Sequence, residues 1–122
     1  MSAKILRAAN GEVFLKPFCV GEKVDSLEFL EANTNEGARE KHLPVVAIDG
    51  AVVTVSVGEV THPMTEEHFI AFILLQTERG DQVVRLHPGD APQAVFAVAP
   101  GDKPVAAYAY CNLHGLWKTE IA

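Results

Sequence analysis

The sequence predicts an all-β domain, built as an antiparallel sandwich or barrel. Short runs of β-branched and other apolar residues recur at close spacing, and Gly, Pro and Asp turn signals separate them. No segment shows the 3.6-residue periodicity of an amphipathic helix. The chain has 122 residues, of which 48% are hydrophobic, which is enough for a single well-packed core and excludes a disordered polymer.

The first predicted hairpin joins residues 45–48 to residues 51–57. Asp49-Gly50 lies between the two runs, and such a pair favours a type I′ turn. From Val53 to Val57, valines alternate with Thr54 and Ser56, which predicts a strand with one buried face.

The apolar run 69–76 has the length of either a buried strand or a short helix, and Phe72 and Ile73 favour the strand. The remaining predicted strands are 82–86, 94–98 and 105–110, with turns at 79–81 and 100–103. Residues 32–41 are polar and predict a loop or one helical turn. Residues 1–30 are less patterned and are expected to form an N-terminal arm or a few extra strands.

Composition excludes several classes of function. Sixteen acidic and ten basic side chains give a net charge of −6 without any Lys/Arg run, so we expect no nucleic-acid partner. No apolar stretch approaches the roughly 20 residues of a membrane span, so no membrane partner is expected. Residues 1–9 have no targeting pattern, which predicts a cytoplasmic protein. Two cysteines are too few for a disulfide scaffold.

Possible metal ligands are concentrated in three segments. They are Glu40-Lys41-His42-Leu43-Pro44, His62-Pro63-Met64-Thr65-Glu66-Glu67-His68 and Cys111-Asn112-Leu113-His114-Gly115-Leu116-Trp117. A Cys-x-x-His turn brings a thiolate and an imidazole to one metal, and Gly115 permits the sharp turn. His62 and His68 cannot share a helical face, so the chain between them must loop if both bind the same metal. His87 and Cys19 lie outside these segments and are interpreted as a loop residue and a plain thiol.

Three kinds of metal site are compatible with four imidazoles and one thiolate. Structural zinc takes four ligands, so a zinc-stabilised binding module leaves one donor in surplus. Type 1 copper takes two histidines, one cysteine and a weak axial methionine, which an electron-transfer sandwich would have to draw from Met64. Five nitrogen and sulfur ligands with a sixth position open suit redox-active iron, whose electron density the thiolate raises.

The three segments, in their order and spacing, resemble the signature segments of superoxide reductases, the neelaredoxin/desulfoferrodoxin family. The resemblance runs from about residue 30 to residue 118. It implies an immunoglobulin-like antiparallel β-sandwich, in agreement with the strand pattern.

The resemblance also implies an iron centre with His42, His62, His68 and His114 as ligands and Cys111 as the axial thiolate. Glu40 would fill the open position in the resting ferric form, and Lys41 would attract the anion and help to organise protonation. The implied reaction is the one-electron reduction of superoxide to hydrogen peroxide, an oxidative-stress defence. A rubredoxin-like electron donor and a homo-oligomer, dimer or tetramer, are implied as well.

The N-terminal stretch departs from two-iron members of this family. Those members carry a desulforedoxin-like domain whose four cysteines hold a second iron, whereas the corresponding stretch here keeps only Cys19. One thiol cannot make a four-cysteine site, so no second iron is expected. Residues 1–30 are therefore predicted to be an extension without a metal, and residues 31–122 the iron-binding sandwich.

Overall fold

The computed structural model describes residues 4–16 and 27–121 and divides into two compact units, Met1–Glu31 and Ala32–Ala122. Within its described residues, the first unit contains three antiparallel strands in the order β2-β1-β3. Their bounds are Lys4–Ala8 for β1, Val13–Lys16 for β2 and Leu27–Phe29 for β3. Arg7 on β1 forms an ion pair with Glu28 on β3. Cys19 lies outside the described residues.

The second unit is a sandwich of two antiparallel sheets, as the sequence predicts. One sheet has the order β10-β9-β6-β7 and the other the order β4-β5-β8. The bounds are α1 Arg39–His42, β4 Pro44–Asp49, β5 Val52–Val57, β6 Ile70–Thr77, β7 Asp81–Arg85, β8 Gln93–Ala97, β9 Pro104–Cys111 and β10 Gly115–Glu120. Among the described residues, no helix is long and apolar enough to span a membrane.

The core lies between the two sheets. Val53, Val55 and Val57 of β5 are at most 1% exposed, which confirms the predicted alternation. They belong to one apolar cluster with residues of the facing sheet, including Ile73 of β6 and Ala109 of β9. Removal of this apolar surface from water, at about 25 cal/mol per Å², is the main force that holds the sheets together.

Two local predictions are wrong. Asp49 pairs with Val52, so the hairpin turn has Gly50 and Ala51 at its centre, one residue later than expected. Of these two residues only Gly50 has a positive φ, +61°, which excludes type I′ and fits a turn with glycine at its first central position. The predicted set of strands is also incomplete: β10, Gly115–Glu120, begins inside the Cys-x-x-His segment and is not among the predicted strands.

One end of the sandwich gathers all three metal-ligand segments. At this end β4, β6 and β10 begin, while β5 and β9 end. Pro44 is paired there with Val57, and Cys111 is paired with both Ile70 and Gly115. The polar stretch before β4 forms the single helical turn α1, which ends in His42. The antiparallel register therefore brings together segments that are far apart in the chain.

Candidate metal centre

Four of the five predicted ligands converge on one point. The donor atoms of His42, His62, His68 and Cys111 all lie within 4.8 Å of one another. His42, His62 and Cys111 are buried, and His68 is half-buried. Such a group of three imidazoles and a thiol is a suitable donor set for a transition metal.

His114 joins the same group through its Nδ1 atom. This atom lies 3.1 Å from Nε2 of His42 and 3.8 Å from Sγ of Cys111. The His114 ring also packs at 5.0 Å, centroid to centroid, from the His68 ring. The structure thus brings together all five side chains that the sequence nominates as ligands.

Main-chain carbonyls orient two of the imidazoles. Nδ1 of His42 lies 2.7 Å from the carbonyl oxygen of Ala38, and Nδ1 of His62 lies 2.6 Å from that of Pro63. A carbonyl can only accept, so each Nδ1 carries the proton and donates it, which leaves the Nε2 lone pair free. This is the usual outer-shell arrangement of metal-bound histidine. These partners could not be identified from the sequence.

Two buried nitrogen atoms at the centre lack a hydrogen-bond partner. Nε2 of His62 and Nε2 of His68 are both inaccessible and unpaired within the described part of the chain. Buried polar atoms are nearly always paired, because an unpaired one costs about 1–3 kcal/mol. Coordination to a metal would satisfy both lone pairs, so the residues present fit the iron that the family resemblance implies.

Burial favours the neutral, metal-binding form of three of the imidazoles, those of His42, His62 and His68. It lowers the pKa of His62 to about 4. Burial also lowers the pKa of His42 and His68, and the positive charge of Lys41 adds to the effect. Burial raises the pKa of the Cys111 thiol, so metal binding at neutral pH would have to release the thiol proton.

Trp117 contacts the imidazole of His42 and the main chain of His114, a role that was not assigned to it from the sequence. Its indole stacks on the His42 ring, with a centroid distance of 4.9 Å, and its Nε1–H donates to the carbonyl oxygen of His114 at 3.0 Å. Trp117 is only 1% exposed. The HGxW spacing was a usable signal, because it places an aromatic ring three residues after a ligand.

Gly37 allows the loop before α1 to lie directly against the imidazoles of His42 and His114. A Cβ atom at this position would lie 3.1 Å from Cε1 of His42 and 3.3 Å from Cγ of His114. Larger side chains would therefore press on two ligands at once. The sequence contained no signal for this close approach.

The two predicted catalytic residues lie on α1, next to His42. Both Glu40 and Lys41 are exposed. The positive charge of Lys41 acts on His42 and His68, which places this charge near the centre. Glu40 is outside the group of converging donors and lines a groove of about 750 Å³ beside β4.

His87 and Met64 both lie outside the group of converging side chains. His87 has a side chain that is 81% exposed, and its Nδ1 lies 3.6 Å from the carboxylate of Asp90, as expected for a loop residue. Met64 is the residue that a copper site would need as axial ligand. Its sulfur instead accepts a hydrogen bond from the amide of Ile70 at 3.3 Å, which disfavours the copper alternative.

Comparison with protein families and curated proteins gives a consistent result. The desulfoferrodoxin family matches residues 34–120. The chain is 40% identical over 117 residues to the desulfoferrodoxin of Nitratidesulfovibrio vulgaris, covering 96% of this chain and 86% of the relative. It is 38% identical over 99 residues to the superoxide reductase of Pyrococcus horikoshii, covering 67% of this chain and 86% of that protein.

Solved structures agree with these relatives. The superoxide reductase from Treponema pallidum has a TM-score of 0.80 and 34% identity, and the match covers 98% of this chain and 100% of the other. The superoxide reductase (1Fe-SOR) from Giardia intestinalis has a TM-score of 0.59 and 34% identity, covering 67% of this chain and 97% of the other. The family match over residues 34–120 and the identity to curated relatives show that the chain belongs to the desulfoferrodoxin family.

Proposed function

We propose that this protein is a superoxide reductase with one mononuclear iron centre. In this reaction superoxide takes up one electron and two protons and leaves as hydrogen peroxide, without formation of dioxygen. The observation that carries the proposal is the convergence of four imidazoles and one buried thiol at one end of the sandwich. Superoxide reductases use iron, and the curated and solved relatives include proteins of this name.

We assign the iron ligands as His42, His62, His68 and His114 through nitrogen and Cys111 through sulfur. Iron held there would supply the electron by cycling between the ferrous and ferric states. The protein's contribution is to present neutral imidazoles, which burial keeps unprotonated, and to keep the sulfur fully buried. The carbonyls of Ala38 and Pro63 hold two of the rings in the required tautomer.

Lys41 is assigned the role of attracting superoxide. The protein has a net charge of −6, so its distant field repels an anion. Solvent screens that field over about 8 Å, whereas a unit charge about 5 Å from an anion contributes about 3 kcal/mol at an effective dielectric of about 20. The exposed ammonium of Lys41 would also donate an N–H hydrogen bond to the incoming anion and help to organise its protonation.

Glu40 is assigned to the open coordination position of the resting oxidised form. The assignment is supported by the position of Glu40, which lies two residues before His42 on the same helical turn. The carboxylate is exposed and lies outside the converging donors, so it would have to turn inward to serve. Because the carboxylate is exposed and not buried among the ligands, it can leave the position open to superoxide.

The chain is further proposed to lack a second iron. Of its two cysteines, Cys111 belongs to the assigned centre, and Cys19 alone cannot build a four-cysteine site. We keep residues 1–30 as an extension without a metal and residues 31–122 as the iron-binding domain. A rubredoxin-like donor, assembly as a dimer or tetramer, and a cytoplasmic location complete the proposal.

Metal analysis and absorption spectra of anaerobically purified protein test this assignment. We expect close to one iron per chain and a visible band that appears on oxidation, because a thiolate transfers charge to ferric iron. Copper in place of iron would support an electron-transfer protein, and colourless zinc would support a binding module. Either result would contradict the proposal.

A further inference from the structure

We infer that Asn112 is a positioning residue for His68, because its carboxamide ties the main chain on both sides of that histidine to the Cys111–His114 turn. The inference rests on the proposed metal centre and adds a function for a residue that is not itself a ligand. Asn112 is exposed, and it touches the centre only through its neighbours.

Three hydrogen bonds join Asn112 to the peptides that flank His68. Nδ2 of Asn112 donates to the carbonyl oxygen of Glu67 at 3.0 Å. The amide of Phe69 donates to Oδ1 of Asn112 at 2.9 Å. The main-chain amide of Asn112 donates to the carbonyl oxygen of Phe69 at 3.2 Å. A carboxamide offers a donor and an acceptor together, so it can bind the residue before His68 and the residue after it at once.

The three hydrogen bonds that join Asn112 to Glu67 and Phe69 are called the Asn112 clamp. His68 needs this clamp more than His42 and His62 do. The rings of His42 and His62 are each anchored by an Nδ1 hydrogen bond to a carbonyl. Within residues 4–16 and 27–121, no hydrogen bond holds a ring nitrogen of His68. Apart from ring packing against His62 and His114, the orientation of this imidazole therefore depends on the position of its own main chain.

The loop between His62 and His68 cannot supply that position alone. Thr65 exchanges hydrogen bonds with the main chain of His68, including one from the His68 amide to Oγ1 at 3.1 Å. These bonds close the loop on itself but do not attach it to another ligand segment. Asn112 makes that attachment, because it binds Phe69 and Glu67, which lie 43 and 45 positions before it in the chain.

The clamp makes two ligand-bearing segments move together. His68 lies between the two peptides held by the carboxamide, and Cys111 and His114 lie on the turn that carries the carboxamide. Outer-shell contacts of this kind typically change metal affinity by about 10- to 100-fold when they are lost. Loss of the clamp should therefore speed metal release, even though no ligand atom has been removed.

The test compares the Asn112→Ala and Asn112→Asp variants with the wild-type protein and with Asp102→Ala. Asp102 is a matched control, because its carboxylate also bridges two main-chain amides, those of Arg79 and Lys103, but at the opposite end of β6. Each protein is loaded with Fe²⁺ under anaerobic conditions, and the rate of iron release to a chelator is measured well below the unfolding temperature. Hydrogen exchange of the Phe69 amide is measured in the metal-free proteins.

For Asn112→Ala we expect iron release about tenfold faster or more, together with loss of protection at the Phe69 amide. Asn112→Asp keeps the acceptor for Phe69 but repels the carbonyl of Glu67. Its Phe69 amide should stay protected while iron release is still faster than in the wild type. Asp102→Ala should lower the unfolding temperature and leave iron release unchanged, which separates positioning from general stability.

Two results would overturn the inference. One is iron release from Asn112→Ala within about twofold of the wild-type rate, and the other is equal acceleration by Asp102→Ala. Failure of the wild-type chain to take up Fe²⁺ would instead contradict the proposed function. The Phe69 exchange rates would still show in that case whether Asn112 holds the His68 segment.

Discussion

Nε2 of His42 lies 3.1 Å from Nδ1 of His114, although 72 residues of chain separate the two histidines. Both nitrogens face the same point, and Sγ of Cys111 lies 3.8 Å from the second of them. The proton of His42 is engaged with the carbonyl of Ala38, so Nε2 presents a lone pair there.

Replacement of Cys111 by serine should remove the visible band of the oxidised protein. The band arises from charge transfer between thiolate sulfur and ferric iron, and a hydroxyl oxygen does not supply it. Absorption spectra of iron-loaded wild type and Cys111→Ser after oxidation check this. A band that persists in the serine variant would show that Cys111 is not a ligand.

Replacement of Lys41 by alanine should slow superoxide capture about tenfold at low ionic strength, because the attraction of one local positive charge is lost. The difference should shrink as salt is added. Pulse radiolysis at several salt concentrations measures both effects. Lys41→Arg should retain most of the rate, and Lys103→Ala, which removes an exposed lysine at the other end of the sandwich, should have the wild-type rate. Equal rates for wild type and Lys41→Ala at low salt would contradict the assigned role.

Replacement of Glu40 by alanine should leave superoxide reduction largely intact and change the spectrum of the oxidised form. The reason is that Glu40 is assigned only to the position that is open when superoxide binds. Glu59→Ala is the matched control, since Glu59 is also exposed and lines the same groove. An oxidised Glu40→Ala protein with the wild-type spectrum would remove Glu40 from the ligand set.

The metal-free protein should lose stability as the pH falls from about 6.5 toward about 4. Burial holds the pKa of His62 near 4, whereas in the unfolded chain it returns to 6.5, so only the unfolded state gains a proton in this interval. The loss from His62 is about 3 kcal/mol, and it is absent above pH 6.5.

Urea unfolding of the metal-free protein at several pH values measures this loss. In His62→Gln the dependence should become weaker. A constant free energy of unfolding between pH 6.5 and pH 4 would contradict burial of the His62 imidazole in its neutral form.

The convergence of the five candidate ligands was predictable from the sequence because their residue types and spacing are local features. The Cys-x-x-His turn and the buried face of Val53, Val55 and Val57 were likewise visible as short patterns. The hairpin turn was misplaced by one residue, because the register that pairs Asp49 with Val52 depends on the whole strand.

The supporting contacts of the centre were not predictable in the same way. The stacking of Trp117 on His42 and the approach of Gly37 to the same ring both depend on how distant segments pack. Asn112 stood inside a recognised motif, yet its partners Glu67 and Phe69 are in another one. Only the folded chain reveals contacts between motifs.

The yield of hydrogen peroxide per superoxide consumed tests the central claim most directly. With an excess of an electron donor, the iron-loaded protein should form one hydrogen peroxide for each superoxide, consume one electron for each, and release no dioxygen. Formation of half as much peroxide together with dioxygen, without consumption of the donor, would show that the protein is not a superoxide reductase.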